Sequence, residues 1–142
     1  MKIEVKMANG LTLLAKGESG HWTVLDGSEE FGGHEAATKP MELLLISLAG
    51  CTAMDVISLL NKMRVNFKDL RVKVEAKQKE EHPKVFTSIN LEYIIYGNDL
   101  KNEKIEIAIN KSQEKYCPVT AMLKENVPIK YSYKVIPVNN NL

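Results

Sequence analysis

The chain has 142 residues, 44% of them hydrophobic and 26% charged, enough for one globular domain with a core and too few for two. Its 19 basic residues against 18 acidic ones leave a formal charge of +1, which excludes the electrostatic footprint of a nucleic-acid binder or of a protein held to an anionic membrane surface. Partners are therefore expected to be small molecules or other proteins.

The opening MKIEVKMANG has no basic region followed by an apolar run, so no export signal is expected. The longest apolar stretch, LLLISLAGC, is interrupted by Ser47 and followed by Asp55 and Ser58, and no membrane span is expected either. A soluble, cytoplasmic chain follows from this reading. Two cysteines in that setting should stay reduced, which makes a reactive or incidental thiol pair a better expectation than a structural disulfide.

Ile3, Val5 and Met7 alternate with Lys2, Glu4 and Lys6 ahead of Asn9-Gly10, a dipeptide suited to a tight hairpin turn, and this predicts strands over 2–8 and 11–16. Trp22 to Leu25, before Asp26-Gly27, reads as a further short strand. Residues 29–38, with Gly32-Gly33, read as a loop. From Pro40 to about Met63 the pattern becomes a long helix, with Pro40 in the first turn and Glu42 complementing its positive end. Almost every face of it is apolar. Ser47, Cys51, Asp55, Ser58 and Lys62 share the one face that is not, either as a solvated side or as a cavity wall carrying a thiol.

Beyond Asp69, Leu70, Val72, Val74 and Ala76 alternate on one strand, and Ile89, Leu91, Tyr93 and Ile95 on the next, with Glu80 to Pro83 joining them as a hairpin. Ile105, Ala108, Ile109, Ser112 and Tyr116 fall at the helical period. Cys117-Pro118 interrupts that helix, a short helix runs through Met122 and Leu123, and Ile129, Tyr131, Tyr133 and Val135 alternate on a last strand. The Asn-rich tail after Pro137 is expected to fray. The sum is one α+β domain over residues 1–142, antiparallel sheet segments packed on a long apolar helix and a helix pair. A helix apolar all round needs more cover than one small sheet provides, so a homodimer is expected.

Each thiol has its own local chemistry. Cys51 lies deep inside the long helix, too far from its start for the backbone dipole to act on it, and Lys62 is roughly 16 Å further along the axis at about 1.5 Å per residue. Cys117, directly before Pro118, falls near the N-cap of the short helix, where free N–H groups favour a thiolate. His21, His34, His82 and the two cysteines lack metal-ligand spacing, which argues against a zinc site.

Ala37-Thr38-Lys39-Pro40-Met41-Glu42-Leu43-Leu44, running on to Ala49-Gly50-Cys51, resembles the signature of the OsmC/Ohr family, in which T-x-P-x-E-L-L leads to A-G-C on a central helix. Tyr116-Cys117-Pro118-Val119 resembles that family's second cysteine motif, and the order of elements agrees along nearly the whole chain. P-M-E-L-L-L together with G-C-T-A-M-D-V is similar to a less characterised branch of it. The resemblance implies an intertwined homodimer with two sites at the subunit interface and a thiol peroxidase acting on organic hydroperoxides. Cys51 would be the peroxidatic and Cys117 the resolving cysteine, joined through a Cys51 sulfenic acid and a disulfide that an external dithiol reduces, with no metal or organic cofactor. Glu42, Met41, Leu44, Leu48, Met54, Asp55 and His34 become the substrate-contact candidates, the apolar ones rewarding an alkyl tail. The family peroxidases carry a glutamate at the position of Met41 and an arginine from the N-terminal strands, whereas this chain has only Arg64 and Arg71. That departure leaves an alternative of another class: a binding module for a small apolar or electrophilic ligand at the dimer interface, with the cysteines as a redox-sensitive wall.

Overall fold

A computed structural model describes residues 1–138; the expected fraying concerns mainly 139–142, outside that range. The chain divides into two compact units, Met1–Ile46 and the part from Ser47 onward. In the first, strands β1 (Ile3–Asn9), β2 (Thr12–Gly17) and β3 (Trp22–Leu25) form an antiparallel meander. Gly10 turns the first hairpin at φ +56°, a conformation that glycine adopts without steric cost. The loop after β3 is organised by the buried carboxylate of Asp26, which accepts the backbone N–H groups of Gly27, His34 and Ala36 at 2.8, 3.2 and 3.1 Å. A Cβ at Gly33 would collide with the Gly27 carbonyl, so the loop closes only with glycine there.

Helix α1 (Pro40–Lys62) starts in the first unit and continues into the second. Its N-terminus is closed by Glu42, whose carboxylate accepts the Lys39 N–H at 2.9 Å, the returning half of a capping box. At the other end Arg64 takes φ +55°, and the N–H groups of Arg64 and Val65 bond back to the carbonyls of Asn61 and Leu60, a Schellman closure without glycine. By length and composition α1 would suffice to cross a bilayer; within the chain it buries Leu48, Thr52, Val56 and Leu60.

The second unit holds a three-stranded sheet of β4 (Asp69–Gln78), β5 (Phe86–Tyr96) and β6 (Ile129–Ile136), in that order. β4 and β5 are antiparallel as the hairpin pattern predicts, but β6 runs parallel to β5, with Ile89 opposite Ile129 and Tyr96 opposite Ile136. A parallel neighbour requires a crossover, since no short turn can reverse the chain twice. That crossover is α2 (Asn102–Lys111), a π-helical turn at Ser112–Tyr116, and α3 (Pro118–Leu123). The predicted helix through Tyr116 therefore ends in a wider turn rather than in regular α-helix. β5, central in its sheet, buries Ile89, Leu91, Tyr93, Ile94 and Ile95, and α2 buries Ile105, Ala108 and Ile109. The start of the tail is pinned, Asn98 exchanging two hydrogen bonds with the backbone of Val138.

Candidate functional site

Cys51 sits in the middle of α1 and Cys117 is the N-cap of α3. Pro118 occupies the first position of α3, where a missing N–H costs nothing, and the next two N–H groups turn to sulfur. Thr120 donates its backbone N–H to Cys117 Sγ at 3.4 Å, and the N–H of Val119 is directed to Cys51. The two sulfurs and a carboxylate oxygen of Asp55, one turn beyond Cys51 on α1, all lie within 4.8 Å of one another. Both cysteines are free; Cys51 is half-buried, whereas Cys117 is only 3% exposed.

Burial, then the hydrogen bond to Cys117, then the charges of Cys117 and Asp55 push the Cys51 thiol up to about 11, and only the Val119 N–H acts the other way. Among the described residues, no cationic side chain is one of the groups acting on it. Arg71 instead pairs with Asp69 at 3.1 Å and lies over the Tyr96 ring.

Behind the thiols lies a buried polar network that the sequence did not reveal. Thr52 Oγ1 is 2.6 Å from Tyr93 OH and 2.8 Å from Ser112 Oγ, and Ser112 Oγ donates to Asp55 Oδ2 at 3.0 Å. Gln113 Nε2 donates to both Thr52 Oγ1 and Tyr93 OH, at 2.9 and 2.7 Å, while its Oε1 accepts from Thr120 Oγ1. Proton counting sets the direction of the chain. Ser112 spends its single O–H on Asp55, so it must accept from Thr52; Thr52 must then accept from Tyr93. The Tyr93, Thr52 and Ser112 hydroxyls then all point toward the Asp55 carboxylate. Burial pushes Tyr93 up to about 12, which keeps it a neutral donor at the head of the chain.

The other sequence-selected residues have the following surroundings. Glu42 is engaged at the Lys39 N–H and Met41 is exposed. Leu44 is half-buried, Leu48 is fully buried and Met54 is 73% exposed. His34 Nδ1 is 3.3 Å from Thr12 Oγ1 and 3.9 Å from Asp26, in the loop that Asp26 organises. A surface depression of about 490 Å³ in the second unit lies along the sheet, lined by Lys73, Glu75, Glu92 and Lys130 among others; it includes neither cysteine and is not the thiol site. Asp55 was visible beforehand from its spacing to Cys51. Thr52, Tyr93, Ser112 and Gln113 read as ordinary core or helix positions, and only Ser112, polar on an apolar face of its helix, carried a signal.

Residues 32–132 match the model of the family described as OsmC-like protein. The Escherichia coli protein YhfA is 41% identical over 136 residues, 96% of this chain and 98% of its own length. The chain belongs to the OsmC-like family. Among solved structures, a hypothetical protein from Aquifex aeolicus is 31% identical with a TM-score of 0.85, covering 97% of each chain. An organic hydroperoxide resistance protein OsmC from Legionella pneumophila shares the fold at 23% identity, with a TM-score of 0.71 over 95% of this chain and 98% of its own.

Proposed function

We propose that the protein is a thiol-dependent peroxidase for organic hydroperoxides, working as a cytoplasmic homodimer in which residues 1–142 act as one domain. The observation that carries this reading is the meeting of Cys51 and Cys117 beside Asp55, two thiols far apart in the chain brought within one hydrogen-bonded cluster. Cys51, the more exposed, gives up its proton and attacks a peroxide oxygen; the O–O bond breaks, the alcohol leaves with a proton, and Cys51 becomes a sulfenic acid. Cys117 then attacks the oxidised sulfur, water departs, and a Cys51–Cys117 disulfide remains. An external dithiol returns both thiols by two exchanges and leaves as its own disulfide. The alkyl tail would meet Leu44 and Met54 together with apolar surface of the second subunit. The hydroperoxide-resistance name of the Legionella protein agrees with this chemistry, although that likeness extends to the fold alone.

A second reading has an observation of its own. A thiol held near 11 is protonated at neutral pH and is a poor nucleophile, as suits a binding module for a small apolar or electrophilic ligand. Consumption of cumene hydroperoxide by the reduced protein with a dithiol separates the two. The peroxidase turns over and loses all turnover in Cys51→Ser; Cys117→Ser, given one equivalent of peroxide with the dithiol left out, stops at a sulfenic acid that dimedone traps. Absence of turnover from folded, reduced wild type would discard the peroxidase reading and leave the binding module.

A further inference from the structure

The cluster of two sulfurs and one carboxylate has a composition that peroxide chemistry does not use in full: Asp55 contributes no step to it. Zinc holds thiolate and carboxylate donors with bonds of about 2.0–2.3 Å, which places tetrahedral donors roughly 3.4–3.8 Å apart. Cys51, Cys117 and Asp55 already stand within 4.8 Å of one another on two helices, so side-chain rotation of about 1 Å closes the set. Three further features fit a cation. Once deprotonated, the three donors are all negative, the charge that a divalent cation offsets. Each sulfur takes one backbone N–H from the first turn of α3, the hydrogen bond that a metal-bound thiolate accepts. The directional chain Tyr93, Thr52, Ser112 engages Asp55 Oδ2 and orients the carboxylate as an acceptor, the outer support that fixes a metal-ligating carboxylate. Spacing in the sequence conceals the site because its ligands come from separate elements and include no histidine.

We propose that Cys51, Cys117 and Asp55 form a three-donor site for a thiophilic divalent cation of the zinc class, with a fourth position open to water or a ligand. Binding displaces thiol protons to solvent, two thiols and one divalent cation giving a dithiolate complex and two protons. Both sulfurs are then occupied, so the metal blocks oxidation and alkylation at the site. The binding claim stands apart from the peroxidase reading; the block on peroxide turnover rests on it.

The test is zinc retention by the reduced full-length protein against a chromophoric chelator, with no peroxide present. Wild type should hold one zinc per chain, and cobalt in its place should give the near-ultraviolet absorption of sulfur-to-cobalt charge transfer. Cys51→Ser and Cys117→Ser should each lose that absorption. Asp55→Asn should weaken zinc roughly 10- to 100-fold, and Ser112→Ala, which keeps all three donors but releases the carboxylate, about tenfold. His21→Ala and His82→Ala should bind as wild type, and circular dichroism confirms that each variant is folded. Zinc surrendered by wild type as readily as by a double cysteine variant would overturn the proposal, as would full affinity in a folded Asp55→Asn. Zinc binding without peroxide turnover would uphold the metal site while removing the peroxidase; turnover in a chain that holds no zinc would do the opposite.

Discussion

At Cys51 the local environment and the proposed peroxidatic role pull in different directions. The thiol is the more accessible of the pair, yet burial and two potential negative neighbours hold its proton to about pH 11. A raised thiol pKa means that the reactive thiolate is scarce at neutral pH and gains about tenfold with each pH unit up to that value. Alkylation of Cys51 by iodoacetamide in Cys117→Ser and wild type should therefore be slow at pH 7 and climb steeply through pH 10; a rate in wild type that levels off near pH 7 would show that a cation reaches the sulfur in the assembled protein. Removing Cys117 takes away two of the causes that raise Cys51, so the climb should begin at lower pH in that variant. Thr52 poses a different question, since its hydroxyl joins three partners in a space closed to water. Thr52→Val keeps the volume and leaves the Tyr93 proton without its acceptor, while Ser112 keeps Asp55 and Gln113 keeps Tyr93; it should cost about 1–3 kcal/mol in urea unfolding, the usual penalty for a buried polar group left unpaired.

Among the elements, α1 shows how little of a helix's end geometry depends on the expected residues. Its N-cap is Lys39 rather than serine or threonine, and Glu42 alone completes the cap from the third position. Glu42 is thus a structural residue of α1 before it is anything else. At the C-terminus Arg64 occupies the left-handed position that glycine usually takes, and the C-terminal carbonyl of Met63 is met by Lys104 Nζ at 2.7 Å. Left-handed backbone costs a side-chain-bearing residue roughly 1–2 kcal/mol, partly offset by the extra unfolded-state freedom of glycine. Arg64→Gly should accordingly stabilise the protein by about 0.5–1 kcal/mol in chemical denaturation, with peroxide chemistry untouched. The π-helical turn after α2 has the opposite character. By widening the helix at Ser112–Tyr116 it delivers Ser112 and Gln113 to the network and sets Cys117 at the start of α3.

For the whole molecule the informative feature is apolar surface left uncovered. Ile3, Val5 and Met7, the inward-patterned residues of β1, are 65%, 54% and 72% exposed, and on α1 Ile46, Met54 and Ile57 are open as well. Exposure on that scale in two elements patterned for burial is what the proposed homodimer would cover. Light scattering on the purified protein should give twice the chain mass, and Ile57→Glu should shift it to the single-chain mass. A monomeric wild type would refute the dimer and with it a site completed by a second subunit.

Much of this protein was legible before any coordinates: the strand alternations, the long apolar helix, the second helix and the two cysteine motifs all depend on residues close together in the chain. Periodicity and capping are local properties, so a single sequence displays them. The parallel placement of β6, the π-helical turn and the polar network are of another kind. Leu91 alternates identically whether its neighbour runs parallel or antiparallel, and Tyr93 looks like one more core aromatic until its hydroxyl is seen against Thr52. Only the folded chain sets Cys51, Asp55 and Cys117 side by side, because the contact joins residues whose separation is bridged by a sheet and a crossover, and no local pattern encodes the path between them.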